Sequence, residues 1–422
     1  MTEVATIRAG SVWVRWWRAE GANRWATFAA LSLVFFVVSA GSFNSLGVVL
    51  PDMVRELHWN WNEAGLGFTF LGLACGLASL VPAVLIRWIG VRGTMAVGAI
   101  SLSGGFAAIA ATPSVWPYLA GTLLVGLGFA LVGTVAGTHV LTGLFTRRST
   151  AIGAYFTVGA LGGVAGPLFY VAVHALTASW RAYWWLFVAL AVASGLFAII
   201  TSPPRGWSAA HEDAPPEQVG PIEMIEGLAD WSVRRALATP QFYVIVAAYT
   251  MYLLINTTAH GFAVEHLIER GIDPKLAAGM LSLEALVGAG IGVVGGMLGE
   301  RISPKTLLIG GLTASTVGMI GLAMAHGLGL MLVYAVGVGL GWGLSFVTST
   351  MLLFTYFGRR PYLELYSIMC LLSTSAALGP AFGGWVRDLL GGFEQVFLVC
   401  AGATVLVLIA TILMRPPKRA AA

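Results

Sequence analysis

Twelve apolar runs, most of them twenty or more residues long, fill this chain and leave few folds open to it. A run of about 20 residues crosses a bilayer core of about 30 Å as a helix. Inside that core an unpaired backbone N–H or C=O has no water to bind, so each run must close its own hydrogen bonds. The runs read at 26–50, 62–86, 93–111, 117–141, 149–176, 181–201, 241–264, 276–298, 306–325, 328–354, 362–388 and 394–414. Composition removes the alternative of a soluble core. Charged residues are 10% and hydrophobic residues 58%, against about 25% and about 45–50% in soluble domains. The expected class is an all-α polytopic membrane protein.

The runs come in two matching sets. Phe145-Thr146-Arg147-Arg148 leads into an apolar run that carries Gly166-Pro167, and Phe357-Gly358-Arg359-Arg360 leads into one that carries Gly379-Pro380. Arg87-Trp88-Ile89-Gly90-Val91-Arg92 recurs in outline at Glu300-Arg301 through Pro304-Lys305. Two landmarks in one order at one spacing, half the chain, mean an internal duplication. The expected layout is a tail at 1–25, a six-helix half at 26–201, a central loop at 202–240, a second six-helix half at 241–414 and a tail at 415–422.

Charge sets the orientation. With both termini in the cytoplasm, all but Arg55, Arg181, Arg270, Lys275 and Arg387 of the 23 Lys and Arg fall on the inner side, as the positive-inside rule requires. Trp13, Arg15, Trp16, Trp17, Arg18, Arg24 and Trp25 suit a tail lying at the headgroups, and it lacks a signal-peptide cleavage site. In the central loop Ile222 to Ala238 reads as an amphipathic helix ending at Arg234-Arg235, a linker on the inner membrane face or a regulatory docking site. Cys75, Cys370 and Cys400 sit apart in apolar runs, as buried reduced thiols do.

These features resemble the major facilitator superfamily, and the resemblance covers essentially the whole chain. Its loop signature, G-x-L-x-D-R-x-G-x-R/K, is matched by Gly296 to Lys305 with Glu300 for Asp and Ser303 for Gly. After span two, Gly90 and Arg92 remain but Arg87 stands where the acid falls. In the superfamily that acid helps latch one state of the transporter, so the resemblance gives Arg87, Gly90, Arg92, Glu300 and Arg301 a gating role and leaves the acid's part to Glu300. Trp231 to Leu237, Thr239 to Phe242, Glu265-His266-Leu267 with Gly271-Ile272, Tyr356 to Arg360 and Gly379 to Gly384 are similar to the bacterial monocarboxylate and oxalate/formate porter-like branch. Animal monocarboxylate porters carry an Asp and an Arg in span eight where this chain has Gly288 and Gly292. Gly153, Gly162, Gly166 and Pro167 follow a spacing associated with exporters, and they equally suit close packing of rocking helices.

Chemistry must come from polar groups at membrane depth, which are costly and so usually functional. Glu284 in span eight is the one acid expected well inside a span. A carboxyl group taken out of water suits proton coupling; a packing role or contact with a substrate amine are the other readings. Asn256 and His260, four apart on span seven, share a face, and His260 is expected at the depth of Glu284. Asn44, His139, Tyr155 and Trp342 complete the substrate-binding candidates, each with a packing reading beside it. Gly337, Gly339, Gly341 and Gly343 around Trp342 suggest a loosely wound helix with an aromatic wall. Glu364, close after the second basic turn, reads as a partner for Arg359 or Arg360.

No phosphate-cradling loop, metal-ligand spacing or nucleophile elbow occurs, so neither an enzyme nor a cofactor or metal is expected. The expectation is a secondary transporter working by alternating access in a bacterial plasma membrane. It is monomeric, driven by protons, and carries a monocarboxylate-like anion or a larger amphipathic peptide, siderophore or drug. No nucleic acid is implied.

Overall fold

Self-contained backbone bonding gives helices almost everywhere. The computed structural model describes residues 21–145, 148–203, 231–299, 301–358 and 361–417, and these form α-helices joined by short turns and two 3-10 segments. Among the described residues eleven helices are long and apolar enough to cross a membrane. The expected span at 62–86 is the twelfth, delivered in pieces: Trp61–Leu77, a 3-10 turn at Ala78–Leu80, and the start of Val81–Ala110. Pro82 explains the turn, since a proline ring crowds the carbonyl four residues before it. Pro380 does the same in span eleven, where the 3-10 segment Thr374–Leu378 separates Tyr362–Ser373 from Gly379–Leu390.

Three other breaks shape the bundle. Span one is two helices, Gly21–Gly41 and Phe43–Leu57, so it starts earlier and ends later than its expected 26–50. The hydroxyl of Ser45 bonds back to the Ala40 carbonyl at the break. Span four divides at Gly133 into Val115–Val132 and Thr134–Leu144. Spans two and three meet at Gly90, whose φ of 76° and ψ of 174° only glycine adopts easily. Spans five and six are Arg148–Thr177 and Trp180–Thr201. Spans seven to ten are Pro240–Glu269, Pro274–Leu298, Pro304–Ala323 and Leu328–Phe357, and span twelve is Glu394–Leu413. Of the central-loop helix expected at Ile222 to Ala238, residues 222–230 lie outside the described residues. Its end is Val233–Leu237, capped by the Ser232 hydroxyl.

The duplication reaches individual hydrogen bonds. Arg92 donates to the carbonyls of Ser202 and Ile200 at 2.7 and 3.2 Å, closing the end of span six. Lys305 donates to those of Met414 and Ile412 at 2.6 and 2.8 Å, closing the end of span twelve. A cation on the last carbonyls of a helix satisfies orphan acceptors and opposes the helix dipole. At the other membrane face Arg181 pairs with Glu56, and Arg270 pairs with Glu394 at 2.9 Å. Both pairs tie the end of a half's first span to the start of its last, with the charges exchanged.

The bundle's outer surface is apolar: Ile100, Leu406 and Leu413 are 70%, 70% and 72% exposed, which suits contact with lipid. Between the halves, span one packs on span seven, span two on span eleven and span five on span eight. Cross-half polar contacts gather at the face that the charge rule places outside. Arg55 reaches Glu265 of span seven at 3.1 Å while also holding Asp52. Asp388 of span eleven accepts from the first two N–H groups of span two, Trp61 and Asn62, at 3.2 and 2.9 Å. Phe262 stacks on Phe393 and meets Trp61 edge-on. The structure is therefore sealed at its outer end.

Candidate functional site

Three helices from the second half build one buried polar cluster. Asp273 caps span eight by accepting from the N–H groups of Lys275 and Leu276 at 2.9 and 3.3 Å, with Pro274 as the first helical residue. That start fixes the register that turns Glu284 inward, 1% exposed. Span seven presents Asn256 and His260 on its facing side, and span ten presents Tyr334, fully buried. The Tyr334 hydroxyl donates to Oε2 of Glu284 at 2.6 Å. The other oxygen, Oε1, lies 3.3 Å from Nε2 of His260 and 3.4 Å from Nδ2 of Asn256. Nδ2 of Asn256 is also 3.4 Å from Nε2 of His260. Among the described residues no fixed cation joins the cluster. Nδ1 of His260 is buried and has no hydrogen-bond partner among the described residues.

Small residues bring these helices close. A Cβ on Gly339 would meet the Glu284 carbonyl at 2.6 Å, one on Gly343 would meet that of Gly288 at 2.5 Å, and the Trp342 ring lies over Gly288. Span ten is thus a regular helix, Leu328–Phe357, rather than the loosely wound one that its glycines suggest. Those glycines serve close approach to spans eight and nine. The same economy links the cluster to the other half: a side chain on Gly47 of span one would run into the backbone carbonyl of His260. The residue that touches Glu284 through its ring therefore touches the first half through its backbone.

The other candidates fall elsewhere. Asn44 donates to the Gly163 carbonyl at 3.1 Å and ties span one to span five. Tyr155 is fully buried, stacked on Phe35, and donates at 2.8 Å to the Gly133 carbonyl at the break in span four, which also accepts from the Gly137 N–H at 3.3 Å. His139 is exposed on the second helix of span four. Trp342 is half-buried on Gly288. Arg87 is exposed, Gly90 is the kink, Arg92 caps span six, and Arg301 is exposed at the start of the turn before span nine. Glu300, Arg147, Arg359 and Arg360 lie outside the described residues, and with them the pairing read for Glu364. Two groups escape a reading of the sequence. Tyr334 passes as one more aromatic in an apolar helix; matching its depth to that of Glu284 is the signal that finds it. Glu265, 9% exposed, belongs to the last turns of span seven, which runs to Glu269 rather than 264. The three cysteines are free thiols, with Cys400 buried and the others half-buried.

Residues 31–373 match the Major Facilitator Superfamily. Multidrug resistance protein MdtH of Blochmanniella floridana is 26% identical over 176 residues, a stretch that spans 41% of this chain and 41% of that protein. Among solved structures, a mutant of the nucleoside transporter NupG superposes with a TM-score of 0.73 at 14% identity, covering 92% of this chain and 99% of that one. A bacterial homologue of the human lysosomal transporter Spinster, inward-facing and unoccupied, does so with a TM-score of 0.73 at 16% identity, covering 93% and 97%. At such identities the likeness is one of fold.

Proposed function

This chain belongs to the major facilitator superfamily, and on that premise we propose that it is a proton-coupled carrier of an organic solute, with Glu284 as the coupling carboxyl. A transporter of this superfamily is a secondary carrier of small molecules through a membrane, not an enzyme. The observation that carries the proton reading is the company Glu284 keeps. Its partners are a phenol, an amide and an imidazole. Among the described residues every Lys and Arg lies at or near the end of a span, and the ion-pair partner of Glu284 is the imidazole of His260, not a Lys or Arg. A carboxyl locked to an Arg cannot lose its charge without stranding the guanidinium. One held by neutral donors can cross between charged and uncharged forms with its partners in place.

The same lack of a fixed cation bears on the solute. Among the described residues no guanidinium or ammonium lies at this depth to bind a monocarboxylate anion. The geometry therefore supports the second expectation better: a larger amphipathic compound that is held by apolar walls and a few hydrogen bonds. The partial relative's name, a multidrug resistance protein, points the same way. The setting we propose is the bacterial inner membrane.

The test is proton flux in reconstituted vesicles, with short acids and amphipathic peptides as solutes. Solute-dependent movement of protons is expected in the native protein. Glu284→Gln is expected to lose that movement while keeping exchange of the solute for itself. Proton flux unchanged in Glu284→Gln would sink the assignment.

A further inference from the structure

His260 has two ring nitrogens in two unlike situations. Nε2 faces Oε1 of Glu284 at 3.3 Å. Nδ1 is buried without a partner among the described residues, although buried polar atoms are as a rule hydrogen-bonded. The residue also sits on the seam between the halves, because its carbonyl is what Gly47 packs against. A solute admitted when the halves part at the outer end meets residue 260 as Gly47 leaves it. We propose that Nδ1 of His260 is the docking atom for the transported solute, and that the proton on Glu284 decides what this atom binds. With the carboxyl protonated, Nδ1 donates and holds a carbonyl or carboxylate oxygen. With it ionised, Nδ1 is an acceptor and repels the same oxygen. The inference rests on Glu284 exchanging a proton, as proposed above.

The geometry leads to this through one neutral imidazole, which carries a single N–H. Tyr334 occupies Oε2, so Oε1 is the oxygen that faces His260 and takes the proton. When Glu284 is ionised, the imidazole proton sits on Nε2 and is given to Oε1, and Nδ1 is a bare lone pair. On uptake the incoming proton binds Nδ1 while the Nε2 proton passes to Oε1. The pair then holds two protons, O–H toward Nε2 and N–H at Nδ1, and its charge has gone from −1 to zero. Loss of the Nδ1 proton reverses each step. A solute with an acceptor oxygen is thus bound with the proton and released with it, which is symport.

Among the described residues no neighbouring charge competes for the ring. On span seven Glu265 pairs with Arg55 and His266 is 3.0 Å from the Leu322 carbonyl. Span one's Asp52 is held by Arg55 and Tyr170. Glu63 closes the capping box of span two. Arg387 of span eleven pairs with Glu269, Asp388 caps span two, and Glu394 of span twelve binds Arg270. Spans eight and ten contribute Glu284 and Tyr334 themselves.

The experiment is nitrogen NMR of histidine-labelled protein in lipid vesicles, with His260 assigned by its absence in His260→Gln. In the native protein the Nε2–H form is expected at alkaline pH and the Nδ1–H form on acidification. Glu284→Gln is expected to fix the Nδ1–H form at every pH, because Tyr334 takes the amide oxygen and leaves its N–H facing Nε2. The same form in Glu284→Gln as in the alkaline native protein would overturn the switch, as would a doubly protonated ring in either. A native ring that ignores pH while Glu284→Gln is still held as Nδ1–H would instead defeat proton coupling at Glu284 and leave the ring's logic intact. Counterflow with two probes that share a phenyl–C–C–N skeleton, one with a carbonyl oxygen and one without, tests the docking itself. Phenylacetamide is expected to be carried in the native protein and to lose at least tenfold in apparent affinity in His260→Gln. Phenethylamine carried in exchange for protons, with the amide ignored, would reverse the assigned polarity and overturn the proposal.

Discussion

At the scale of single residues, Tyr334 and Gly47 are the positions where one atom decides most. Tyr334→Phe keeps the ring and removes the one donor on Oε2 of Glu284. A hydrogen bond to a charged group contributes about 1.5–3 kcal/mol, so proton-coupled transport is expected to fall roughly ten- to a hundredfold. Size-exclusion behaviour should be unchanged, because the packing volume is kept. A Tyr334→Phe protein with native proton flux would remove Tyr334 from the site. Gly47→Ala acts from the other side. Its methyl group cannot coexist with the His260 carbonyl at the present separation, so the outer seam is expected to stay ajar. An impermeant thiol reagent applied from outside should then label a cysteine placed at Gly261, which faces Phe68 of span two across the same seam. The reporter needs a background with Cys75, Cys370 and Cys400 replaced by Ser, and labelling equal to that with native Gly47 would refute the prediction.

At the scale of elements, the helix breaks are where sequence turns into geometry. Gly90 carries φ 76° and ψ 174° where span two becomes span three. Forcing a side chain into that region costs about 1–3 kcal/mol. Gly90→Ala should therefore lower the melting midpoint in detergent, measured by tryptophan fluorescence, more than Ala at the open, regular position Gly104. Lys305→Met should loosen the end of span twelve, whose carbonyls at Ile412 and Met414 lose their donor. Arg92→Met should do the same for span six at Ile200 and Ser202. Hydrogen exchange would show faster opening confined to each of those helix ends. Equal exchange in variant and native protein would mean that other groups hold the termini. These breaks were only partly legible. The glycines and prolines at 82, 90, 133 and 380 are visible in the sequence, but whether one kinks, tightens or merely permits close packing depends on the neighbouring helix. Pro167 sits inside an unbroken helix, and the glycines of span ten turned out to serve contact.

At the scale of the whole molecule, the outer seal is a set of weak links in parallel. An ion pair with one partner open to water, such as Arg55 with the buried Glu265, is screened to about 1 kcal/mol, and Asp388 at the start of span two contributes about 0.5–2 kcal/mol. None is large, which suits a seam that must open in every cycle. Asp388→Ala is expected to move the balance toward the outer-open state by a few-fold. Spin labels at His58 and Leu390, both exposed at the outer end, would report it as a growing long-distance population. A distance distribution identical to that of the native protein would show that the aromatic contacts of Trp61, Phe262 and Phe393 hold the seam alone. The halves are held alike at their ends, by Arg92 and Lys305 and by the exchanged pairs Glu56–Arg181 and Arg270–Glu394. They differ at depth, where only the second carries the Glu284 cluster.

The sequence by itself determined the membrane, the spans and the duplication. Each of these depends on local quantities: the length of an apolar run, the spacing of a repeated turn, the side on which Lys and Arg fall. It also singled out Glu284, Asn256 and His260, because a polar residue in an apolar run is conspicuous wherever the helix ends up. Tertiary structure alone decided which of these meet. Tyr334 lies 50 residues from Glu284, and nothing local distinguishes it from Tyr155, which spends its hydroxyl on the Gly133 carbonyl. The seam between Gly47 and His260 likewise exists only because two helices from different halves cross there. Hydropathy is a property of one segment and can be read along a chain. A hydrogen bond between spans eight and ten depends on how both helices are rotated, and packing sets that rotation.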